Sequence, residues 1–119
     1  MYEYAARALN VLDGDSVYLE IDLGLKVMTR AHVRLAHINA PELHQEKGAA
    51  ARDRLTELLR TYPIGEEPLN RYPLTIKTTK DKTEKYGRWL ATIKIAEGLD
   101  VGETLVKEGL ATPYEGGRR

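Results

Sequence analysis

The stretch DGDSVYLEIDLGLKVMTRAHVRL, residues 13–35, carries a clear strand pattern. Its two halves alternate apolar and polar residues, which is typical of strands that lie with one face on a core. Asp-Gly-Asp at its start is a turn signal, and Gly24 interrupts the alternation midway. The stretch therefore predicts two strands, over residues 16–23 and 27–35.

The second of these strands carries its basic side chains on one face. Arg30, His32 and Arg34 alternate with apolar residues, so all three point away from the core in the favoured register. A slip of one residue would bury three basic side chains, so we expect the register to be strongly specified. Arg34 is then the last outward-facing residue before the following loop.

Apolar spacing also predicts the remaining elements. The other strands are expected over residues 2–12, 74–79 and 88–96. A helix is expected over about residues 46–62, because its apolar residues fall on one helical stripe. That stripe consists of Ala51, Leu55, Leu58, Leu59 and Tyr62. A second, short helix is expected between Asp100, its N-cap, and Gly109.

This element order predicts a mainly β fold with α-helices (α+β), built as a closed antiparallel five-stranded OB-fold barrel with two helices. The chain of 119 residues is long enough for one modest core, so we expect a single domain over residues 1–119. No apolar run approaches the roughly 20 residues that span a bilayer. The opening segment MYEYAARALN lacks the layout of a signal peptide. We therefore expect a cytoplasmic protein without a membrane partner.

Composition narrows the chemistry further. The chain has no cysteine, which excludes a disulfide scaffold and a cysteine-based zinc site. Its formal net charge is zero, so the bulk charge does not indicate a polyanionic partner. The segment KTTKDKTEKYGR, residues 77–88, is nevertheless rich in basic residues. Such a segment can attract phosphate locally, although on charge alone a solvated hairpin is the simpler interpretation.

Oxygen-bearing residues gather in two predicted loops. Asp13 and Asp15 lie between the first two strands, and Asn39, the Ala40 carbonyl and Glu42 lie after the third. If the two loops meet at one end of the barrel, they offer two or three oxygens to a hard cation such as calcium. Taken alone, the Asp-Gly-Asp motif is more typical of a tight hairpin turn.

Two arginines could supply the cationic half of such a site. Arg34 precedes one of the loops, and Arg88 opens the last predicted strand. A planar guanidinium can bind two phosphate oxygens at once and keeps its charge at all relevant pH. Opposite a metal and a carboxylate, the pair would make a site for a phosphodiester. Each arginine taken alone is more often a surface charge.

The histidines and aromatic residues carry weaker signals. The histidines are not expected to bind metal, because their spacing is unlike that of ligand pairs on a helix; they are His32, His37 and His44. His32 shares a strand face with Arg34 and could contact substrate. Tyr86 and Tyr114 could stack on a base or hydrogen-bond a phosphate. Trp89 is assigned to the core or the barrel surface.

Four segments, in order, resemble the staphylococcal nuclease (thermonuclease) family: VLDGDSVYLEI, RLAHINAPEL, EKYGRWLATIKI and LVKEGLATPY. The resemblance implies a calcium-dependent nuclease on an OB-fold barrel that cuts DNA and RNA phosphodiesters. It implies that the catalytic residues are Arg34, Glu42 and Arg88. It implies that the metal ligands are Asp15, Asn39 and the Ala40 carbonyl, with Asp13 nearby. It places near the nucleotide Lys85, Tyr86 and Tyr114.

This sequence departs from the family pattern at two of these positions. Asn39 stands where the family has its second metal-binding aspartate, which keeps an oxygen but removes a charge. Ala40 stands in place of a threonine, so its backbone carbonyl alone could ligate. A lower ligand charge weakens calcium binding, and another divalent cation could serve. The alternative function is therefore a non-catalytic nucleic-acid-binding or protein-interaction barrel.

Overall fold

A computed structural model describes residues 2–62, 64–66, 71–83 and 87–114. The strands are β1 Tyr2–Asp13, β2 Ser16–Gly24, β3 Val27–Leu35, β4 Ile38–Asn39, β5 Leu74–Thr83, β6 Trp89–Lys94 and β7 Thr112–Pro113. The helices are α1 Gly48–Leu59 and α2 Val101–Lys107, with a 3-10 turn at Ala96–Gly98. None of the helices within the described ranges has the length and apolarity that a membrane crossing requires.

Five strands close into a barrel in the order β1-β2-β3-β6-β5. The predicted five-stranded barrel with two helices is confirmed, but the prediction of a wholly antiparallel barrel is wrong. β3 and β6 pair in parallel, from Val33 opposite Trp89 to Leu35 opposite Ala91. The reason is topological: strand directions cannot alternate all the way round a closed ring with an odd number of strands. One parallel neighbour pair is therefore required.

The register predicted for β3 is confirmed where the strand belongs to the barrel. Val33 and Leu35 are buried, whereas His32 is exposed and Arg34, which lies between the buried pair, is half-buried. Val27 and Thr29 lie on the same side as the buried pair but are exposed. β6 pairs with β3 along residues 33–35, so the earlier part of the strand extends beyond the closed barrel.

The helices match their predictions with shorter bounds. Ala51, Leu55 and Leu59 of α1 are buried against the barrel, as the apolar stripe predicted. The helix is flanked by Lys47 and Arg60, which both have a left-handed backbone, and this is why it is shorter than residues 46–62. α2 begins as predicted, with the Asp100 side chain accepting a hydrogen bond from the Glu103 backbone N–H at 3.1 Å.

The short sheet of β4 and β7 was not predicted. Ile38 pairs with Pro113 and Asn39 with Thr112, in antiparallel orientation. The segment after α2, which the sequence analysis did not assign to any element, therefore contacts the loop that follows β3. This contact places Tyr114 at the end of the barrel where the loop after β3 lies.

Candidate active site

The two oxygen-rich loops meet at one end of the barrel. The Asp15 carbonyl accepts a hydrogen bond from the Leu35 N–H at 2.8 Å, and the Asp15 carboxylate accepts one from the Ala40 N–H at 2.9 Å. Gly14 allows this approach, because a Cβ at this position would lie 2.7 Å from the Cβ atoms of both Ala40 and Ala51. The turn, the loop after β3 and α1 are thus packed against one another without space for a methyl group.

Arg34 lies at the centre of this junction. Its Nη1 donates to the carbonyl oxygens of Leu35 and Ile38, at 2.7 and 3.0 Å. Its Nη2 donates to the Asp15 carboxylate at 3.3 Å and to the Asn39 amide oxygen at 3.2 Å. The side chain is 12% exposed. The guanidinium is therefore held in a fixed orientation, with one edge on backbone carbonyls and the other on side-chain oxygens.

Tyr114 covers this guanidinium. The centre of its ring lies 5.4 Å from the Arg34 Cζ, within the range of a cation–π contact. The Tyr114 N–H donates to the His37 carbonyl at 2.8 Å, which anchors the chain just after β7. Tyr114 is distant from Arg34 in sequence, and the backbone pairing of β7 with β4 places it beside Arg34.

Arg88 reaches the same place through Ser16. Its Nη1 donates to the Ser16 hydroxyl at 2.6 Å, and that hydroxyl lies 3.4 Å from the Asp15 carboxylate. Ser16 is the register partner of Arg34 across β2 and β3, and it is buried. Ser16 was not predicted as a site residue. Its outward position at the start of β2, beside Asp15, could have indicated that it belongs to the site. We call Asp13, Asp15, Ser16, Arg34, Asn39 and Arg88 the Asp15–Arg34 cluster.

The electrostatics of the cluster centre on Asp15. Burial and a hydrogen bond shared with Asp13 raise its pKa to about 6, against the opposing effects of the Ala40 N–H and the Arg34 charge. The Asp13 carboxylate also accepts a hydrogen bond from the Asp15 N–H at 3.1 Å. Two carboxyl groups held this close repel each other when both are ionised. A cation between them would relieve that repulsion.

Glu42 does not join the cluster directly. Its backbone is fixed, since its carbonyl would lie 1.9 Å from a Cβ at Gly48 and its N–H donates to the Gln45 side chain at 2.8 Å. Its carboxylate is 69% exposed and lies 3.5 Å from the His44 imidazole. Within the described residues, the carboxylate makes no hydrogen bond to the cluster. Glu42 therefore faces solvent from a rigid backbone position.

The oxygens proposed from the sequence as metal ligands suit a hard cation in kind. Asp15 and Asn39 direct their side-chain oxygens at the same nitrogen of Arg34, so the two oxygens face a common point. Across the described part of the chain, no three acidic or histidine side chains gather into a metal-binding group. A site here would therefore combine carboxylate oxygens with an amide oxygen and a backbone carbonyl, as calcium accepts.

Of the three residues predicted to lie near the nucleotide, one is among the described residues. Tyr114 lies at the cluster, as described above. Lys85 and Tyr86 lie outside the described residues. Trp89 opens β6 and is 41% exposed, which agrees with its assignment to the barrel surface.

Comparison with known proteins shows which family and which curated proteins this chain resembles. The model of the family "Staphylococcal nuclease homologue" matches residues 32–119. An "Uncharacterized endonuclease" of Escherichia coli O157:H7 is 27% identical over 109 residues, which cover 92% of this chain and 60% of that protein. A "Micrococcal nuclease" of Shigella flexneri is 28% identical over 120 residues, covering 94% of this chain and 59% of that protein. The chain thus spans about three fifths of the length of these relatives.

Proposed function

The chain belongs to the family of staphylococcal nuclease homologues, and we propose that it is a metal-dependent nuclease that hydrolyses phosphodiester bonds of DNA, RNA or both. The observation that carries this proposal is the meeting of two arginines at one carboxylate. Arg34 contacts Asp15 directly at 3.3 Å, and Arg88 is linked to it through the Ser16 hydroxyl. The names of the relatives, an endonuclease and a micrococcal nuclease, support the same reaction.

The arginines would bind and stabilise the reacting phosphate. A phosphoryl group gains negative charge as it approaches the pentacoordinate transition state, and preorganised guanidinium donors stabilise that charge. The carbonyls of Leu35 and Ile38 hold Nη1 of Arg34, so its Nη2 would bind an oxyanion with little loss of freedom once a cation takes the Asp15 and Asn39 oxygens. A planar guanidinium can bind backbone carbonyls with one nitrogen and an oxyanion with another, whereas the single nitrogen of an ammonium cannot do both in fixed directions.

Glu42 would act on the attacking water. Its exposed carboxylate is open to solvent, and its backbone is held against Gly48 at the start of α1. A carboxylate in this position can orient a water molecule and accept its proton. We assign it this role because its carboxylate is exposed to solvent and makes no ion pair with an arginine among the described residues.

Asp15, Asn39 and the Ala40 carbonyl would hold the cation, with Asp13 close by. Calcium is the ion we propose first, because all these ligands are hard oxygens and calcium accepts neutral carbonyl oxygens, such as those of Asn39 and Ala40, beside carboxylates. When bound, the ion would polarise a phosphoryl oxygen and add positive charge opposite the arginines. Asn39 leaves the site one charge weaker than an aspartate would, so another divalent cation could replace calcium.

A divalent-ion screen tests the proposal. Purified protein is stripped with EDTA and incubated with plasmid DNA, single-stranded DNA and RNA, with calcium, magnesium or manganese added back separately. We expect cleavage with at least one of these ions and none in EDTA. Absence of cleavage of all three substrates with every ion would contradict the proposal.

A second function, nucleic-acid binding without cleavage, is favoured by two observations. Asn39 replaces a charged ligand, and the Glu42 carboxylate contacts His44 and not the cluster. Binding of single-stranded DNA in the same screen, without turnover under any ion, would establish this second function in place of the first.

A further inference from the structure

Beyond the Asp15–Arg34 cluster, the outer face of β2 and β3 carries an aromatic pair. Tyr18 and His32 are register partners across the two strands, and their ring centres lie 4.8 Å apart at an angle of 39°. His32 is exposed and Tyr18 is half-buried. The neighbouring pair on the same face is Ser16 and Arg34. Two residues along a strand rise about 6.7 Å, so the rings lie directly beside the phosphate-binding candidates.

The core does not require this pair. The residues that alternate with it, Val17 and Val33, point into the barrel and are fully buried. The rings lie on the opposite face, where a cross-strand pair stabilises a sheet only modestly. An exposed imidazole against a phenol ring also leaves an aromatic surface open to solvent. This surface is suited to stacking on a flat partner.

The same row of outward positions continues with Arg30. Its side chain is 35% exposed and its Nε donates to the Glu20 carboxylate at 3.1 Å. Along β3 the outward side chains therefore run Arg34, His32, Arg30: cation, ring, cation. Proteins that bind single-stranded nucleic acid combine basic groups along the backbone with rings on which the bases stack. The strand 2–3 face is also the side on which barrels of this type present oligonucleotide sites.

We propose that Tyr18 and His32 form a base-stacking subsite for the nucleotide next to the phosphate held by Arg34. The substrate is then a single strand that runs along the outer face of β2 and β3 towards Arg30. This inference rests on the proposed function and adds to it a subsite for one unpaired base. It also separates recognition of bases, by the rings, from recognition of phosphates, by the arginines.

The test compares binding of two probes by fluorescence anisotropy in EDTA, where no cleavage is expected and the probe is verified as intact on a gel. One probe is a labelled thymidine octanucleotide, and the other is an octanucleotide of abasic residues that keeps the phosphates. Replacing both rings, Tyr18→Ala with His32→Ala, should weaken binding of the thymidine probe about tenfold, the loss expected for one stacked base. Binding of the abasic probe should not change.

Two further variants make the result specific. Tyr18→Phe with His32→Phe keeps the rings and should bind the thymidine probe as the wild type does. Thr29→Ala, exposed on the other face of β3, should also leave binding unchanged. If the double alanine variant does not fold, the single variant His32→Ala carries the test, because His32 is exposed and does not belong to the buried core.

Each outcome has a distinct meaning. An unchanged affinity of the alanine variant for the thymidine probe, or an equal loss for both probes, would overturn the stacking subsite while leaving the nuclease proposal in place. A tenfold loss for the thymidine probe alone supports the subsite, whether or not the strand is cleaved. Failure of the wild type to bind the thymidine probe in EDTA would refute the subsite, whereas absence of cleavage in the divalent-ion screen would refute the nuclease.

Discussion

Arg34 and Arg88 reach Asp15 by different routes, and this difference sets their expected roles. Arg34 is fixed by carbonyls of its own loop, at 2.7 and 3.0 Å, and would serve as a rigid donor. Arg88 comes from the start of β6 and is positioned by a serine hydroxyl at 2.6 Å. Both arginines were predicted from the sequence because together they flank oxygen-rich loops and match family positions, although each taken alone is more often a surface charge. Ser16 was not, because a serine that opens a strand is ordinary.

The guanidinium of Arg88 has several donors in one plane, and replacing it tests whether catalysis needs more than its charge. Arg88→Lys keeps the charge but loses the second donor, so kcat should fall by about a hundredfold while substrate affinity changes far less. Single-turnover rates and binding isotherms on the same oligonucleotide measure the two quantities. Arg54→Lys, on the surface of α1 and paired with Glu108, is the matched control and should leave both unchanged. A loss confined to affinity would mean that Arg88 only positions the phosphate.

At the scale of elements, the site depends on three segments that pack without space between them. The Asp-Gly-Asp turn, the loop after β3 and α1 meet at Gly14. The strands and helices themselves were predictable, because their apolar periodicity is strong. The β4–β7 pair was not predictable, because a strand of two residues is too short to show an apolar alternation. The solvent-facing direction of the Glu42 side chain was not predictable either, because no sequence periodicity fixes the direction of a loop side chain. The parallel β3–β6 pair follows only once closure of an odd-numbered barrel is considered.

At the scale of elements, we predict that Gly14→Ala lowers both stability and cleavage. The added methyl would lie 2.7 Å from two Cβ atoms, so the turn must shift away from Ala40 and α1. We expect the free energy of unfolding to fall by about 1–3 kcal/mol, measured by urea denaturation, and cleavage to fall as well because Asp15 moves. Gly24→Ala is the control: its positive φ strains the backbone in open space at the far hairpin. It should lower stability without lowering cleavage by the folded protein, and equal activity losses would contradict this account.

For the whole molecule, a buried ionic network outside the site holds the barrel together. Glu20, which is 1% exposed, accepts hydrogen bonds from Arg7 at 3.2 Å, Arg30 at 3.1 Å and the Tyr72 hydroxyl at 3.0 Å. Arg7 also donates to the Glu66 carbonyl. The network therefore joins three strands to the connector that precedes β5. The sequence could not predict it, because a formal net charge of zero does not reveal which charges pair across strands.

This network predicts how stability depends on pH. Burial raises the pKa of Glu20, but hydrogen bonds from Arg30, Tyr72 and Arg7 outweigh it and hold the pKa below the usual 4.5. A lowered pKa in the folded state gives stability that is present above pH 4.5 and is lost as the pH falls through the folded value. Glu20→Gln should therefore lower the free energy of unfolding at pH 7 by about 3–5 kcal/mol, since a neutral amide would replace the buried carboxylate that faces the Arg7 guanidinium.

The acid dependence provides the check on that prediction. Urea unfolding at pH 7 and at pH values below 4.5 should show a smaller loss of stability on acidification for Glu20→Gln than for the wild type. Glu3→Gln, an exposed position on β1, should behave as the wild type does. An acid profile of Glu20→Gln parallel to that of the wild type would show that the network does not contribute as described.

The most direct test of the central claim is the cleavage rate of a labelled single-stranded oligonucleotide during calcium titration, measured for the wild type, Glu42→Gln and the loop control Glu46→Gln. The account predicts no cleavage before calcium is added and a rate that rises with its concentration. It predicts a loss of about a hundredfold or more in Glu42→Gln and no loss in Glu46→Gln. Cleavage that persists in EDTA, or that is undiminished in Glu42→Gln, would contradict the account.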